Sequence, residues 1–484
     1  MVGHRLQESV LPDYHRGGEL LAEGDVEGAA AAFQEALVRG ADLPEGLFNL
    51  ALCYRMAGAP EEEETCYRAA IERRAEFPEA HNNLAGLLFS RGDFQQAERH
   101  YRAALKKRPD YPEALNSLAT VRSNLGDFTE AAELLERAIS QRPEFAEARC
   151  NRALLRLALG DYQRGWSEYV AWRFRRAATP SRPFDQPLWD GTPCPGDRLL
   201  LHAEQGFGDT IQLLRYLPMI RRRVGHLILE LPGALVRLAQ SMAQGRADHH
   251  LSSTVDVISQ EALLPPFDLH MPLLNLPHVF STTLDTIPAE IPYFISGVPD
   301  GEPCLAASSR MEYSVQSFDI KRDSLMISRK VHVGITWAGR ATQGNDWNRS
   351  IPLESLHPLV NISNVAAHPM QKELRPGEEE VLERRGWQPY QGGGWQDFQD
   401  TAAMVVQMDL MICIDSAMAH LAGALGVPLW VLIPANHDWR WRDRQGVASP
   451  WYPQARLFVQ QQVGDWSGAL LELTEALKDH ISRT

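Results

Sequence analysis

In the first third of the chain, small, aromatic and polar positions recur with one fixed period. Glycines mark the repeating unit and are 34 residues apart, at Gly24, Gly58, Gly92, Gly126 and Gly160. A large aromatic or apolar residue lies nine positions after each glycine, at Phe33, Tyr67, Tyr101, Leu135 and Tyr169. Alanines lie twelve positions after the first four glycines, and Pro109 and Pro143 close two of the units. A unit of this kind is predicted to form two helices, the first of which ends at the glycine.

The period and the order of these positions are typical of the tetratricopeptide repeat. The sequence therefore predicts an α solenoid of five such repeats from about Leu11 to about Phe174, in a domain that spans residues 1–176.

Asparagines form a further column within the repeats. Asn49, Asn83 and Asn151 each lie nine residues before a repeat glycine, and Ser117 takes this position in the remaining unit. The neighbouring Asn116 would point about 100° away round the helix, so it is a poor substitute. Side-chain amides on the concave face can bind the backbone of an extended peptide, which predicts a peptide groove. The column resembles the asparagine ladder of the O-linked N-acetylglucosamine transferases. In the alternative interpretation, these asparagines only cap or solvate their helices.

The rest of the chain alternates between apolar runs and helical segments. Residues 177–197 are rich in proline and are predicted to form a linker. Strands are then predicted at 198–203, 227–231, 331–337, 410–414 and 428–433, and helices at 210–222, 234–243 and from about residue 353. This alternation predicts parallel sheets covered by helices. We expect two α/β halves, at 198–325 and 326–484, with an exposed connection at 296–330.

Composition excludes several classes of protein. The net charge of −14 argues against a nucleic-acid-binding protein, which normally carries a basic face. No apolar run approaches the roughly 18 residues of a membrane span. The first residues lack an apolar signal core, so a cytoplasmic location is expected. The six cysteines include no C-x-x-C pair, so neither a metal site nor a disulfide framework is predicted.

Candidate chemistry begins with the turn at residues 203–210, which joins a predicted strand to a predicted helix. Gly206 and Gly208 let a ligand approach the backbone, and Asp209 adds a carboxylate at the start of the helix.

A second strand-to-helix turn contains Asp415, Ser416 and Ala417. Its amides and the helix dipole suit a pyrophosphate, and Asp415 is a candidate to bind a ribose hydroxyl. In the alternative interpretation, Asp415 and Ser416 only cap the helix, and His420 is a core histidine. The candidate phosphate contacts are Arg349, Lys372, Arg440 and Arg442.

Three segments, at 204–209, 334–339 and 415–426, resemble the ADP-heptose:lipopolysaccharide heptosyltransferase family. The whole chain resembles bacterial proteins that fuse tetratricopeptide repeats to such a module. The resemblance implies a GT-B fold, with two Rossmann-like halves facing each other across a cleft. It also implies an inverting, metal-independent hexosyl- or heptosyltransferase that needs no cofactor besides its nucleotide-sugar substrate.

The resemblance also implies roles for individual residues. It makes Asp209 the catalytic carboxylate, with Gln205, Gly206 and Gly208 in the acceptor loop. The implied donor-binding residues are Trp337, Gly339, Arg349, Gln371, Lys372, Asp415, Ser416, Ala417 and His420. Ala417 stands where the family motif has glycine. The segment from His368 to Gln371 differs from the family's Ser-Leu-Gln.

These features together predict a glycosyltransferase with a protein acceptor that the repeats recruit. In the expected mechanism, Asp209 deprotonates an acceptor hydroxyl, and the helix that begins at Ser416 stabilises the leaving diphosphate. The acceptor would be a Ser or Thr hydroxyl of flagellin or of another surface protein. Two alternatives stay open: a heptosyltransferase-like enzyme that acts on lipopolysaccharide or another glycan, and a repeat adaptor without catalysis. The sequence also leaves a homodimer open.

Overall fold

The computed structural model describes residues 11–39, 43–176, 182–245, 253–294, 330–341, 345–384, 387, 396–442 and 448–483. The chain divides into two compact units, Met1–Leu155 and Arg156–Thr484. This division lies within the fifth predicted repeat rather than after it. The connection that was predicted to be exposed lies, up to residue 329, outside the described residues.

The first unit is built from helices, and the first eight of them pack against their neighbours in sequence. They are α1 Leu11–Glu23, α2 Val26–Val38, α3 Pro44–Ala57, α4 Pro60–Arg73, α5 Pro78–Ser90, α6 Phe94–Lys107, α7 Pro112–Asn124, α8 Phe128–Gln141 and α9 Ala146–Ala158, of which α9 continues into the second unit. The predicted helix pairs are confirmed. All five repeat glycines have φ angles between 71° and 86°, a left-handed conformation that favours glycine at the end of a helix.

Aspartates begin the second helix of most repeats. The side chains of Asp25, Asp93 and Asp127 each accept a hydrogen bond from the backbone N–H three residues later. This is the preferred N-cap geometry, which satisfies an N–H group that the helix itself cannot pair. The equivalent residue before α4 is Ala59, which has no capping side chain, although Pro60 is favoured at the first helical position.

A second periodic feature links consecutive repeats. After three of the second helices, an arginine lies over an aromatic ring and pairs with a glutamate of the preceding first helix. The three sets are Arg74 with Phe77 and Glu45, Arg108 with Tyr111 and Glu79, and Arg142 with Phe145 and Glu113. These ion pairs are partly exposed, so each one contributes little alone. Their regular spacing indicates one repeated packing arrangement.

The second unit contains two parallel sheets, as the alternation of strands and helices predicted. Its strands are β1 Cys194–His202, β2 Val224–Leu231, β3 Thr254–Ser259, β4 Leu269–Pro272, β5 Val331–Ile335, β6 Val365–Pro369, β7 Leu410–Ile414, β8 Leu429–Ile433 and β9 Arg456–Val459. The strand orders are β3-β2-β1-β4 and β6-β5-β7-β8-β9, and every pairing is parallel.

Helices accompany these strands. They are α10 Tyr162–Trp172, α11 Phe207–Leu213, α12 Leu217–Arg221, α13 Gly233–Gly245, α14 Leu276–Val279, α15 Asp346–Arg349, α16 His357–Val360, α17 Glu378–Arg384, α18 Phe398–Val405, α19 Ala417–Leu425 and α20 Ser467–Arg483. Short 3-10 turns lie at Arg173–Arg175, Leu214–Tyr216, Leu273–Asn275, Leu353–Leu356 and Trp439–Trp441.

Two sequence predictions were wrong in detail. The predicted linker at 177–197 overlaps β1, because the N–H of Cys194 donates to the carbonyl of Arg223 and so extends the sheet across Pro195. The single helix predicted at 210–222 is instead α11, a 3-10 turn and α12, and Pro218 lies in the first turn of α12. Because proline lacks an N–H group, it fits a helix start better than a helix interior.

The two strand orders place a topological switch point in each sheet. Ligands of parallel sheets bind at such points, beyond the carboxyl ends of the strands. In the first sheet, the point between β1 and β4 is filled by Glu204, whose Oε1 accepts from Arg173 (2.8 Å) and from the N–H of Leu274 (3.1 Å). In the second sheet, the corresponding point lies between β5 and β7, where the residues that follow both strands line a cleft.

Candidate functional site

A cleft of about 880 Å³ lies at the carboxyl ends of the strands in the second unit. It is lined by segments that follow β1, β5, β6, β7 and β8. It brings together most of the predicted site residues, namely Gly206, Gly208, Asp209, Gly339, Arg349, Gln371, Lys372, Asp415, Ser416, Ala417 and His420. Gln205 and Trp337 are not among the lining residues.

The N-terminus of α19 forms one wall of the cleft. Ser416 occupies the N-cap position, but its side chain makes no capping hydrogen bond. Its Oγ is buried and has no hydrogen-bond partner among the described residues. Simple capping therefore does not account for this hydroxyl, which is placed with the first N–H groups of α19 where an anion can bind.

Asp415, at the end of β7, anchors a neighbouring arginine. Nη1 of Arg349 donates to the backbone carbonyl of Asp415 at 3.2 Å. Burial, together with the nearby Asp438, raises the pKa of the Asp415 carboxyl. A Cβ at Gly339 would lie 2.4 Å from Nη2 of Arg349, so a larger residue there would require this guanidinium to shift.

The segment after β6 joins two loops and adds a cation. Oε1 of Gln371 accepts from the N–H of Ala338 at 3.2 Å, and its Nε2 donates to the carbonyl of the same residue at 3.0 Å. Gln371 therefore orders the loop after β5. The neighbouring Lys372 is exposed at the cleft, and no described residue forms an ion pair with it.

Trp337 is part of the core rather than of the cleft wall. Its side chain is fully buried, stacks on Trp387 and donates from Nε1 to Glu378 at 2.8 Å. The contribution of this residue to the site is structural: it fixes the end of β5.

The loop after β1 forms the opposite wall. Gly208 packs so closely on α19 that a Cβ there would lie 2.7 Å from Cδ2 of His420. The absence of a side chain at this position lets α11 approach α19. Gln205 is exposed and lies outside the cleft lining.

Asp209 is not free in this structure, because it forms an ion pair with Arg440. The same guanidinium donates to Asp438 (2.7 Å) and to the side chain of Gln212 (2.9 Å). Burial opposes the charge on Arg440, but the carboxylates of Asp209 and Asp438 outweigh this effect and raise its pKa. Arg440 was predicted as a phosphate contact, and no local sequence pattern indicated its pairing with Asp209.

His420 is both buried and part of the cleft lining. Its Nδ1 lies 3.0 Å from the hydroxyl of Tyr452. Burial, followed by the charges of Arg440 and Arg215, lowers the pKa of His420 well below its usual value. The imidazole is therefore neutral near pH 7.

Several lining residues were not singled out as site residues. They include Thr336, Phe398, Asn436, His437 and Asp438. Thr336 follows β5 and the last three follow β8, so the rule that sites lie beyond the carboxyl ends of strands could have found them. No comparable signal was available for Phe398, which begins a helix.

The asparagine column of the repeats is partly engaged inside the first unit. Nδ2 of Asn49 donates to the hydroxyl of Tyr14 (3.2 Å), and Nδ2 of Asn83 donates to that of Tyr67 (3.1 Å). Nδ2 of Asn151 donates to Oδ1 of Asn116 (2.9 Å), so Asn116 takes part in the column. Peptide binding at these positions stays a prediction, and the amide donors would have to be shared with these contacts.

Comparison with protein families assigns the helical part of the chain. Models of the tetratricopeptide repeat match residues 14–76 and 88–149. The chain therefore contains tetratricopeptide repeats, a type of module that suggests binding of other proteins.

One relative extends beyond the repeats. Protein FlbA of Caulobacter vibrioides (strain ATCC 19089 / CIP 103742 / CB 15) is 26% identical over 329 residues, which cover 65% of this chain and 52% of that protein. The chain thus spans about half the length of the curated relative it matches.

Three solved structures are each similar to about a third of the chain. The crystal structure of MamA is 22% identical and covers 34% of this chain and 96% of its own, with a TM-score of 0.31. A thermophilic TPR protein of Thermus thermophilus, TTC0263, is 20% identical and covers 35% and 93%, with a TM-score of 0.30. YrrB, described as a TPR protein with an unusual peptide-binding site, is 16% identical and covers 34% and 88%, with a TM-score of 0.31. In the part of the chain that the structure describes, no helix is long and apolar enough to span a membrane.

Proposed function

We propose that the protein is an inverting, metal-independent glycosyltransferase of the GT-B type. It transfers a sugar from a nucleotide-sugar to a hydroxyl of a protein acceptor, and the tetratricopeptide repeats recruit that acceptor. A cytoplasmic location is part of the same proposal and rests on the sequence alone, which leaves a homodimer open.

One observation carries the proposal: Asp209 and the N-terminus of α19 line the same cleft. A carboxylate is the group that accepts a proton from an attacking hydroxyl. A helix N-terminus with a free hydroxyl, here Ser416, suits a leaving diphosphate. The site thus supplies the two functions that a single displacement at an anomeric carbon needs.

Cations on the donor side support a diphosphate ligand. Arg340 and Lys372 line the cleft, and neither of them has an ion-pair partner among the described residues. Arg349 lies beside the carbonyl of Asp415, where its charge adds to the positive N-terminal end of the α19 dipole. These side chains can neutralise the charge that develops on the leaving group.

In the proposed reaction, the acceptor oxygen attacks the anomeric carbon as the bond between this carbon and the phosphate oxygen breaks. Asp209 takes the hydroxyl proton, and the nucleoside diphosphate leaves with the bonding electron pair. Because Arg440 pairs with Asp209 in this structure, the donor phosphates are expected to draw Arg440 toward themselves and so release the carboxylate.

The experiment combines binding with turnover. Calorimetric titration with UDP, ADP, GDP and CDP is expected to show one ligand that binds the full-length protein. With the matching sugar nucleotide, mass spectrometry is expected to show transfer to a protein of a deletion strain that lacks this chain. Asp209→Asn is expected to abolish transfer while it keeps nucleotide binding. Asp185→Asn is the matched control, because Asp185 is an exposed aspartate outside the cleft. Full transfer by Asp209→Asn would overturn the catalytic role.

The ion pair between Asp209 and Arg440 favours a second candidate, a repeat adaptor whose α/β part does not catalyse. Ala417, in place of the glycine of the resembled motif, points the same way. Absence of nucleotide binding in the titration would support the adaptor. Transfer to a glycan or lipopolysaccharide, and to no protein, would instead support a heptosyltransferase-like enzyme.

A further inference from the structure

A chain of buried hydrogen bonds in the second unit connects Arg215 to His420. Nη2 of Arg215 lies 3.4 Å from the hydroxyl of Tyr293, which lies 3.3 Å from the hydroxyl of Tyr452. The Tyr452 hydroxyl in turn lies 3.0 Å from Nδ1 of His420. At most 5% of any of these four residues is exposed, so their polar atoms must be satisfied inside the protein.

The direction of the chain follows from its first member. A guanidinium group can only donate hydrogen bonds, so the oxygen of Tyr293 accepts from Arg215. Tyr293 then donates its own hydrogen to Tyr452, which is the only other hydrogen-bond partner of this hydroxyl among the described residues. Tyr452 accepts this bond and donates to Nδ1 of His420. In the opposite direction, the hydroxyl hydrogen of Tyr293 would lack an acceptor, which is costly for a buried group.

A histidine whose Nδ1 accepts a hydrogen bond carries its proton on Nε2 when the ring is neutral. The ring of His420 is neutral, since burial and two nearby arginines lower its pKa. Nε2 lies on the side of Gly208, 3.4 Å from the place that a Cβ of that residue would take. His420 itself lines the cleft.

We propose that Arg215, Tyr293 and Tyr452 fix His420 in its Nε2–H tautomer, so that it presents a neutral donor to a phosphate oxygen of a nucleoside diphosphate. The nucleoside diphosphate as ligand rests on the proposed function, whereas the tautomer of His420 follows from the hydrogen bonds alone. Arg215, Tyr293 and Tyr452 are positioning residues, because they act through His420.

The tautomer can be measured without any ligand. The imidazole ¹⁵N and ¹³Cδ2 signals of the full-length protein, labelled at histidine, distinguish the two neutral tautomers. The signal of His420 is assigned by its loss in His420→Gln. The wild-type protein is expected to show the Nε2–H form near pH 7, and Tyr452→Phe is expected to lose this fixed form. An Nδ1–H form in the wild type would overturn the proposal.

Nucleotide affinity gives a second readout. With ADP, UDP and GDP as probes, Tyr452→Phe is expected to weaken the binding of the preferred nucleotide about tenfold, the effect of one well-placed hydrogen bond. The matched control is Tyr216→Phe, which removes an equally buried hydroxyl that bonds only to Thr282 among the described residues (2.7 Å). The control is expected to bind as the wild type does. Equal affinities for all three proteins would overturn the role in binding.

The two readouts separate this inference from the proposed function. If none of these nucleotides binds the wild type, the proposed function of the cleft and the ligand in this inference fail, while the spectrum still decides the tautomer. If a nucleotide binds but His420 is in the Nδ1–H form, the role proposed for Arg215, Tyr293 and Tyr452 is wrong, and the proposed function of the cleft stands.

Discussion

Arg440 forms an ion pair with Asp209, which joins the residue predicted to bind phosphate to the residue predicted to act as the base. Arg440 follows β8 of the second sheet, and Asp209 lies on α11, which follows β1 of the first sheet. Asp438 and Gln212 hold the same guanidinium, so its position is fixed from both walls of the cleft. An anion that enters the cleft must therefore compete with Asp209 for Arg440.

This competition predicts that Asp209→Asn binds the preferred nucleoside diphosphate more tightly than the wild type does. The substitution removes a negative charge from the cleft and frees one side of Arg440. We expect a gain of about three- to tenfold, measured by calorimetry at low salt, which shrinks as salt is added. Asp185→Asn changes the net charge equally and is expected to leave the affinity unchanged. A weaker affinity in Asp209→Asn would show that Arg440 does not move to the ligand.

The close contact between α11 and α19 predicts that Gly208→Ala destabilises the second unit. Its Cβ would lie 2.7 Å from Cδ2 of His420, so the packed ring of His420 or one of the two helices must shift. Overpacking of this kind costs about 1–3 kcal/mol. The effect would appear as a lower midpoint for the unfolding of the second unit in urea, followed by tryptophan fluorescence.

Gly206→Ala provides the comparison within the same loop. The nearest atom to a Cβ at Gly206 is Oδ2 of Asp209, at 3.9 Å, and its φ of −63° is accessible to alanine. We expect no loss of stability, because the unfolded chain loses entropy while the folded loop is not strained. Equal losses in the two variants would mean that the contact with His420 is not the cause.

Much of the architecture could be predicted from local patterns. The backbone conformations of the repeat glycines and of the strand-to-helix turns could be predicted, because each conformation depends on residues that are close in sequence. The parallel sheets follow from the alternation of strands and helices. Asp209, Ser416 and His420 could be placed in one site because each follows or lies near the carboxyl end of a strand.

Other features could not be predicted, because they depend on contacts between distant parts of the chain. The pairing of Asp209 with Arg440 joins residues 231 positions apart, and no local pattern reports it. Trp337 is buried in the core. A tryptophan at the end of a strand looks the same in the sequence whether its side chain enters the core or lines a cleft. Cys194 pairs with Val224 of β2. This pairing could not be predicted, because the prolines on both sides of Cys194 indicate a linker and not a strand.

The pair of His81 and His100 predicts that the repeats lose stability in mild acid. Their Nδ1 atoms lie 2.8 Å apart, and burial, followed by the proximity of His81, lowers the pKa of His100 to about 4. The unfolded chain binds this proton below pH 6.5, whereas the folded chain resists it down to about pH 4. The stabilisation is thus complete above pH 6.5 and is lost progressively as the pH falls to about 4.

We expect a loss of about 1–3 kcal/mol over this range, since one pKa unit corresponds to about 1.4 kcal/mol and partial exposure reduces the effect. The measurement is the unfolding midpoint of the first unit in full-length protein at several pH values, followed by circular dichroism. His100→Gln is expected to flatten the dependence between pH 6.5 and 4 while it lowers stability at pH 7. An unchanged slope would assign the acid sensitivity to other groups.

The missing cap at Ala59 predicts a stabilising substitution in the first unit. In the four other repeats, an aspartate at this position accepts from the N–H three residues later, while α4 has no such bond. Asp93→Ala removes one cap and is expected to cost about 1 kcal/mol. Ala59→Asp is expected to gain less, about 0.5 kcal/mol, because Glu61, Glu62 and Glu63 already place negative charge in the first turn.

Urea unfolding of both single variants and of the double variant, followed by circular dichroism, measures these effects. The caps begin different helices, so their effects should add in the double variant. If Ala59→Asn, which lacks the added charge, is more stable than Ala59→Asp, repulsion by the three glutamates is the cause. If neither variant is more stable than the wild type, Pro60 alone already fixes the start of α4.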